Sequence, residues 1–583
     1  MFEDVKNQIA KIIDDFCLQH ELPTGKVEFR SIPFSGEWGM AAPLFPLAAA
    51  DQNKTGPVPQ HAQFLAEKIK DILGLPEGFT RSEAVKGYLN LYFDTSLYAA
   101  SVVDQVNNQG NQFGNASPTN QLVMIEYSNP NTHKPLHVGH LRNVILGGSV
   151  CNILEASGKK VIRANYIGDI GLHVIKWMCN YEVYHAGEEP GADKMRWMAD
   201  LYSEADRRFH EQDGFEETVR AYFARWDAGD EHIHDLWLQT RQWSMDGFAQ
   251  VYELLGEHFD RIYFESDVED SGKVLVDQLI ESGLATDGRP ENPVIVDLDT
   301  ILGTKEEFRV AVVLRSDGTS LYATKELPLA IMKFEEYHLD ESIYVIDVRQ
   351  SLHMKQMQKV LELMGYPWAK QMHHLAYEIV NLPGNVIMSS RDGTVVLLDD
   401  LVREATQRAL DVVRQKNPEL DEETMVEVAQ KVALGAIKYP MISRENTKIV
   451  TFDWDSALDF NGQSAPYIQY ANVRANSILR KAGGLEKSVG KFNHELEHSE
   501  INLIELLSKL PDEVSKSAKE LRPSSLAAFA YELAKAFNDF YNQCQVLKVE
   551  GDLRDSRLAL VQAASICLEK TLNLLGIQAP QVM

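Results

Sequence analysis

In the segment Asn131-Thr132-His133-Lys134-Pro135-Leu136-His137-Val138-Gly139-His140-Leu141-Arg142-Asn143, two histidines lie three apart, with a glycine between them and a lysine just upstream. His137 and His140 fall on one face of a first helical turn. Gly139 has no side chain, so a ligand can come down onto the backbone there. Lys134 adds a cation at the mouth. The apolar run Leu122-Val123-Met124-Ile125 precedes the segment, and a helix-like stretch follows it to about Gly158. The order is therefore strand, loop, helix. A helix N-terminus so placed offers unpaired N–H groups and a positive dipole end to phosphate. The pattern suits a nucleoside triphosphate whose phosphate charge shifts during a reaction. Either histidine alone would read as a cap or a core residue; paired at this junction they read as ligands.

Such residues need a sheet to place them. From about residue 121 the pattern is β-α-β: strand Val123–Tyr127, helix His137–Ala156, a stop at Gly158 and strand Lys160–Tyr166. Residues about 176–260 are aromatic, charged and helix-like, which predicts a helical insertion. Strands return at Pro293–Leu298, Phe308–Leu314 and Ser342–Asp347. The amphipathic helix His353–Met364 and a strand at His374–Val380 follow. Two β-α-β halves split by an insertion predict a doubly wound α/β domain over 116–400, with its site at the carboxyl ends of the strands. Residues 1–115 read as a separate mixed α/β unit. It has a helix over Phe2–Phe16, a strand placing Val85, Leu89, Leu91 and Phe93 on one face, and a polar linker Asn107–Asn120. From 401 to 583 Leu401–Gln415, Glu422–Lys438, Tyr467–Ala482, Ile501–Leu521, Ser524–Tyr541 and Leu553–Leu575 all show helical periodicity, predicting an all-α bundle.

Composition narrows the class. The 583 residues are 44% hydrophobic and 24% charged, as in ordinary globular proteins. No stretch resembles an 18-residue apolar span, so a membrane helix is not expected. The acidic, amphipathic start Met1-Phe2-Glu3-Asp4-Val5-Lys6 does not read as a secretory signal. The five cysteines, Cys17, Cys151, Cys179, Cys544 and Cys567, form no C-x-x-C pair, which fits reduced thiols in a cytoplasm and argues against a zinc cluster. A net charge of −28 argues against a general nucleic-acid binder but not against an enzyme with one basic face. No G-x-G-x-x-G follows a strand, which excludes a dehydrogenase of the usual dinucleotide-binding kind.

Four blocks in order resemble the class I aminoacyl-tRNA synthetases, and among them the arginyl enzymes. Glu126-Tyr127-Ser128-Asn129-Pro130-Asn131 leads into His137-Val138-Gly139-His140, similar to the "HIGH" signature. Asn165-Tyr166-Ile167-Gly168-Asp169 and Ser316-Asp317-Gly318-Thr319-Ser320-Leu321-Tyr322-Ala323-Thr324 follow. Met388-Ser389-Ser390-Arg391-Asp392-Gly393-Thr394-Val395-Val396 stands where the "KMSKS" loop would be, with Ile387 and Ser390 at its two lysine positions. The resemblance implies a Rossmann-like catalytic domain, an N-terminal additional domain touching the tRNA elbow, and a helical anticodon-binding domain. It implies ATP with Mg2+, L-arginine and tRNA(Arg) as partners, a cytoplasmic enzyme and a monomer.

The same resemblance implies roles. His137 and His140 would donate to the reacting phosphates and Gly139 would admit the nucleoside. Lys134 and Arg391 would supply the charge that the degenerate loop lacks. His353, Met388, Ser389 and Ser390 would join the ATP site. Glu126, Asn131 and His140 would meet the backbone end of arginine, and Tyr322, Glu326 and Gln350 its side chain. Glu326 stands where the family usually has aspartate, one methylene shorter. Tyr467, Tyr470, Arg474 and Met583 would meet tRNA, although Tyr467 and Tyr470, three apart, suit base stacking and a helix core equally well. A different class I specificity and a non-catalytic tRNA-binding paralogue are the competing readings.

Overall fold

A computed structural model describes residues 2–25, 27–32, 38–54, 56–136, 138–382, 386–387, 398–483 and 491–583. His137 and residues 388–391 lie outside them. The chain divides into two compact units, one of residues 1–113, 475–509 and 536–567, the other of 114–474, 510–535 and 568–583.

The first unit has a four-stranded antiparallel sheet in the order Arg30–Ser31, Gly39–Pro43, Tyr88–Phe93, Phe79–Val85. Helices Phe2–Gln19 and Val58–Leu73 bury Ile9, Ile13, Leu65 and Ile69 in a core shared with Leu89 and Leu91. The sequence suggests one strand from Val85 to Phe93, but the structure makes a hairpin. Val85 pairs with Tyr88 across Lys86 and Gly87, whose φ values of 51° and 85° make a type I′ turn. Thr95–Gln109 is helix where the sequence suggests a linker from Asn107.

The second unit is built on a five-stranded sheet, parallel throughout: β1 Leu122–Glu126, β2 Lys160–Ile167, β3 Arg261–Phe264, β4 Glu341–Asp347 and β5 Met372–Tyr377. The spatial order is 5-4-1-2-3. The order reverses between β1 and β4, and the crevice outside their carboxyl ends is where doubly wound sheets bind ligands. Helix α1, Val138–Ala156, joins β1 to β2. It buries Leu141, Val144, Ile145, Leu146 and Ile153, and Gly147 and Gly148 let neighbours in closely. A Cβ on Gly147 would stand 2.3 Å from the Tyr127 ring, and one on Gly148 2.0 Å from the Glu257 carboxylate.

The insertion is helical, with Leu172–Tyr184, Lys194–Glu211, Phe215–Asp227 and α2, Glu231–Leu255. It lies between β2 and β3, inside the first half of the sheet rather than between halves. The short β3 escaped the sequence reading. The expected strands near 294 and 310 do form, as Val294–Asp297 and Val310–Leu314. They pair antiparallel in a small sheet of their own with Thr286–Asp287. Helices α3, Glu265–Glu281, and α4, Tyr322–Tyr337, pack with that sheet and the parallel one in a continuous core including Val276, Val296, Leu327 and Tyr344. Helix α5, Ser351–Leu363, connects β4 to β5. Beyond residue 400 the long elements are helices: Leu398–Lys416, Glu422–Ile442, α6 Ala465–Lys481, His498–Glu520, Pro523–Gln543 and Gly551–Leu574. The two-residue strand Val450–Thr451 pairs with Val380–Asn381.

Candidate active site

The loop between β1 and α1 is held in an unusual backbone conformation. Ser128, Asn129 and His133 all have positive φ, 74°, 47° and 62°. Non-glycine residues rarely adopt such values, which persist only where surrounding contacts impose them. Those contacts come from three directions. Asn143 of α1 accepts from Ser128 N at 2.6 Å and donates to Val345 O of β4 at 2.7 Å. Asn165 of β2 accepts from Asn129 N at 3.1 Å. The insertion supplies Tyr252, whose hydroxyl bonds Ser128 Oγ at 2.7 Å and Asn165 Nδ2 at 3.0 Å.

His133 is fixed by the insertion as well. Its Nε2 meets Thr240 Oγ1 at 2.8 Å, and its backbone N–H donates to Ser244 Oγ at 3.0 Å. Burial pushes the imidazole down to about 3, so it stays neutral. Helix α2 is therefore what shapes the loop carrying Lys134 and leading to the two motif histidines.

Carboxylates gather around the Tyr166 phenol. The Tyr166 phenol is raised by burial first and then by the charges of Glu265, Glu326, Glu126 and Asp169. Each carboxylate has a partner. Glu126, at the end of β1 and 3% exposed, accepts from Asn129 Nδ2 at 3.0 Å and from Lys333 Nζ. Glu265, the first residue of α3, meets Lys325 at 3.4 Å. Glu326 of α4 meets His353 Nε2 of α5 at 2.5 Å. Asp169 accepts from Arg241 at 2.8 Å and from Ser266 N and Oγ at 2.9 and 2.7 Å. This holds the residue next to Glu265.

Lysines also lie close to His173. Burial lowers His173 well below its usual value, and Lys134, His133, Lys176 and Lys325 add to the effect. One end of the crevice thus suits an anion and the other a planar cation that needs several acceptors.

Comparison with known proteins decides the family. Residues 102–454 match the model of the catalytic domain of tRNA synthetases class I (R), and residues 468–583 that of the DALR anticodon binding domain. The arginine–tRNA ligase of Clostridium botulinum is 32% identical over 100% of both chains. That of Bdellovibrio bacteriovorus is 34% identical over 91% of this chain and 90% of its own. The solved arginyl-tRNA synthetase of Thermus thermophilus, 28% identical, superposes with a TM-score of 0.79 over 99% of this chain and 100% of that one. The chain belongs to the class I arginine–tRNA ligase family.

Several residues expected from the family motifs converge. Glu126, Asn131, Gly139 and His140 surround the β1–α1 junction. Asn131 bridges to Gly168, where a Cβ would stand 2.3 Å from its Oδ1. Lys134 is half-buried, its Nζ 5.9 Å from the Tyr202 ring centre. Tyr322 begins α4 and is 68% exposed, and Glu326 lies one turn on. Gln350 is exposed at the start of α5. His353 hydrogen-bonds Glu326; burial would lower its pKa, but the bond and charge of Glu326 raise it above the usual value. His137, Met388, Ser389, Ser390 and Arg391 fall outside the described residues.

Arg142, two residues past His140, is wholly buried. It donates to the carbonyls of Met441, Lys448 and Asn446 at 3.4, 3.0 and 3.2 Å, and to that of Glu378. It ties α1 to the segment leading into residues 388–391. In α6, Tyr467, Tyr470 and Arg474 share one half-buried face. Arg474 and Lys416 lie 4.9 and 5.1 Å from the Tyr470 ring centre, and Tyr467 lies 5.3 Å from the Tyr531 ring. Met583 is buried, 4% exposed.

Sequence reasoning missed Glu265, Asp169, His173 and Lys333. Asp169 stood in a quoted motif without a role. Lys333 left one signal, a lysine on the apolar stripe of Leu327, Ala330 and Phe334.

Proposed function

We propose that the chain activates L-arginine with ATP and transfers it to the 3′-terminal ribose of tRNA(Arg). The observation that carries this reading is the crevice at the β1–β4 switch point, with Glu126 and the lysine-bearing loop at one end and the carboxylates of Glu265 and Glu326 at the other. Arginine lies with its guanidinium toward Glu326, Glu265, Tyr322 and Gln350, and its backbone end toward Glu126, Asn131 and His140. Its carboxylate attacks the α-phosphorus of ATP, forming arginyl-adenylate and releasing pyrophosphate. A ribose hydroxyl of tRNA then takes the arginyl group and AMP leaves.

The first step asks mainly for positioning and for stabilisation of moving phosphate charge. His137 and His140 donate to the phosphates, Gly139 admits the nucleoside close to the backbone, and Lys134 and Arg391 carry the charge. Met388, Ser389, Ser390 and His353 join the ATP site. Mg2+ accompanies the triphosphate and neutralises part of its charge. Residues 1–115 meet the tRNA elbow, 116–400 carry the chemistry, and 401–583 read the anticodon. Within the last, Tyr467, Tyr470 and Arg474 face the bases, with the chain end at Met583 nearby. The enzyme works as a cytoplasmic monomer.

The test is aminoacylation of total tRNA with ATP, Mg2+ and each labelled amino acid in turn. Charging with arginine alone supports the reading. Charging with another amino acid keeps the chemistry and discards the pocket assignment. Binding of tRNA without charging points to a non-catalytic paralogue.

A further inference from the structure

We propose that Lys333 is a positioning residue for the amino-acid pocket, acting through Glu126 and through the helix that carries Tyr322 and Glu326. The inference rests on the arginine-charging reading above and adds a residue to it.

Lys333 is fully buried, with 0% exposure. An isolated ammonium in such a place is very costly, so it needs a partner. That partner is Glu126 at the carboxyl end of β1, itself almost fully buried. Two tyrosine rings complete the enclosure. The Lys333 ammonium lies 4.6 Å from the centre of Tyr344 on β4 and 5.7 Å from that of Tyr263 on β3. Rings at these distances favour a cation through their quadrupoles. One side chain of α4 therefore binds strands on both sides of the sheet's switch point.

The spacing along α4 gives this consequence for the pocket. Lys333 is seven residues, two turns, beyond Glu326. Both fall on one face of the helix. Their charges act on each other: burial by itself would lower the Lys333 ammonium, but Glu126 first, then Tyr344 and Glu326, raise it. The Lys333–Glu126 pair fixes the rotation and the height of α4 on the sheet. The same rotation and height set where Glu326 and Tyr322 project. An apolar residue would fill the space with less desolvation penalty. The ion pair adds register: only one position of α4 brings the ammonium to Glu126. The pair also holds Glu126 in one orientation, with Asn129 on its other oxygen.

The test is steady-state aminoacylation by the full-length enzyme, varying arginine and ATP separately, with melting temperature measured alongside. For Lys333→Met we expect the KM for arginine to rise by tenfold or more. The KM for ATP should stay within twofold. Lys333→Arg keeps the charge and should recover most of the arginine KM at equal or lower melting temperature. Lys333→Gln keeps an N–H donor for Glu126 without the charge. It serves if the methionine variant does not fold, and should show the same arginine-specific loss. An unchanged arginine KM in either neutral variant overturns the proposal. So does an equal rise in the KM for both substrates, which a merely structural role would give. A wild-type enzyme that charges an amino acid other than arginine would instead sink the functional reading, and that result is visible before any variant is made.

Discussion

With Glu326 assigned to the guanidinium as proposed, the Glu326–His353 pair should make arginine recognition depend on pH, in a direction opposite to its effect on stability. The His353 imidazole is raised above its unfolded value near 6.5 by Glu326. Its stabilising contribution is therefore present below about pH 6.5 and is lost as pH rises through the folded value. Substrate affinity runs the other way. While His353 is charged it neutralises Glu326; once it is neutral, the full carboxylate charge faces the guanidinium. Two unit charges about 4 Å apart interact by about 4 kcal/mol at an effective dielectric constant near 20. The two side chains are 24% and 15% exposed, so solvent reaches the pair. That screening cuts the figure to roughly 1 kcal/mol. The KM for arginine should then fall about fivefold between about pH 6 and about pH 8.5 at constant ionic strength. Nearby carboxylates Glu126, Glu265 and Asp169 are paired with Lys333, Lys325 and Arg241 rather than with a histidine. His353→Gln should flatten the profile at a low KM. Parallel profiles in wild type and variant would refute the assignment of the titration to this pair.

Three other outcomes are expected. Lys134→Ala should slow aminoacylation by roughly a hundredfold, the loss typical of one charge-stabilising donor, with melting temperature almost unchanged; a near-wild-type rate would rule the lysine out. Tyr470→Ala and Arg474→Ala should each raise the KM for tRNA about tenfold through lost stacking, with the KM for arginine unaffected; equal shifts in both would mean the helix face is structural. Burial pushes Glu257 up to about 7, partly offset by Lys438 and the Tyr127 hydroxyl. The folded state then holds that proton more tightly than the unfolded one. Stability should decline between about pH 4.5 and about pH 7 by at most about 3 kcal/mol. Calorimetry of Glu257→Gln should show that decline lost; an unaltered slope would place the titration elsewhere.

What the sequence made legible follows from how local each signal is. Strands β1, β2, β4 and β5 and the six C-terminal helices announce themselves by periodicity, because each must turn an apolar face to a core. The short β3 and the Lys86–Gly87 turn did not, since few residues give no period and apolar residues flank the turn on both sides. Glu126 and Glu326 were singled out because the family motifs imply that they meet the substrate. Lys333 was not, although it sits in the same helix as Glu326. Its partner Glu126 lies 207 residues away, and periodicity reports only that a position faces inward. A charged residue on an otherwise apolar helical stripe is the trace such a contact leaves. A buried charge must be matched, so the partner must be buried too and lie where that stripe packs. From α4 the lysine reaches the end of β1 and the Tyr344 ring of β4, where the requirement left is a carboxylate at the carboxyl end of a strand. Glu126 already stood there in the first motif, so the lysine and the motif together contained the contact that neither revealed alone.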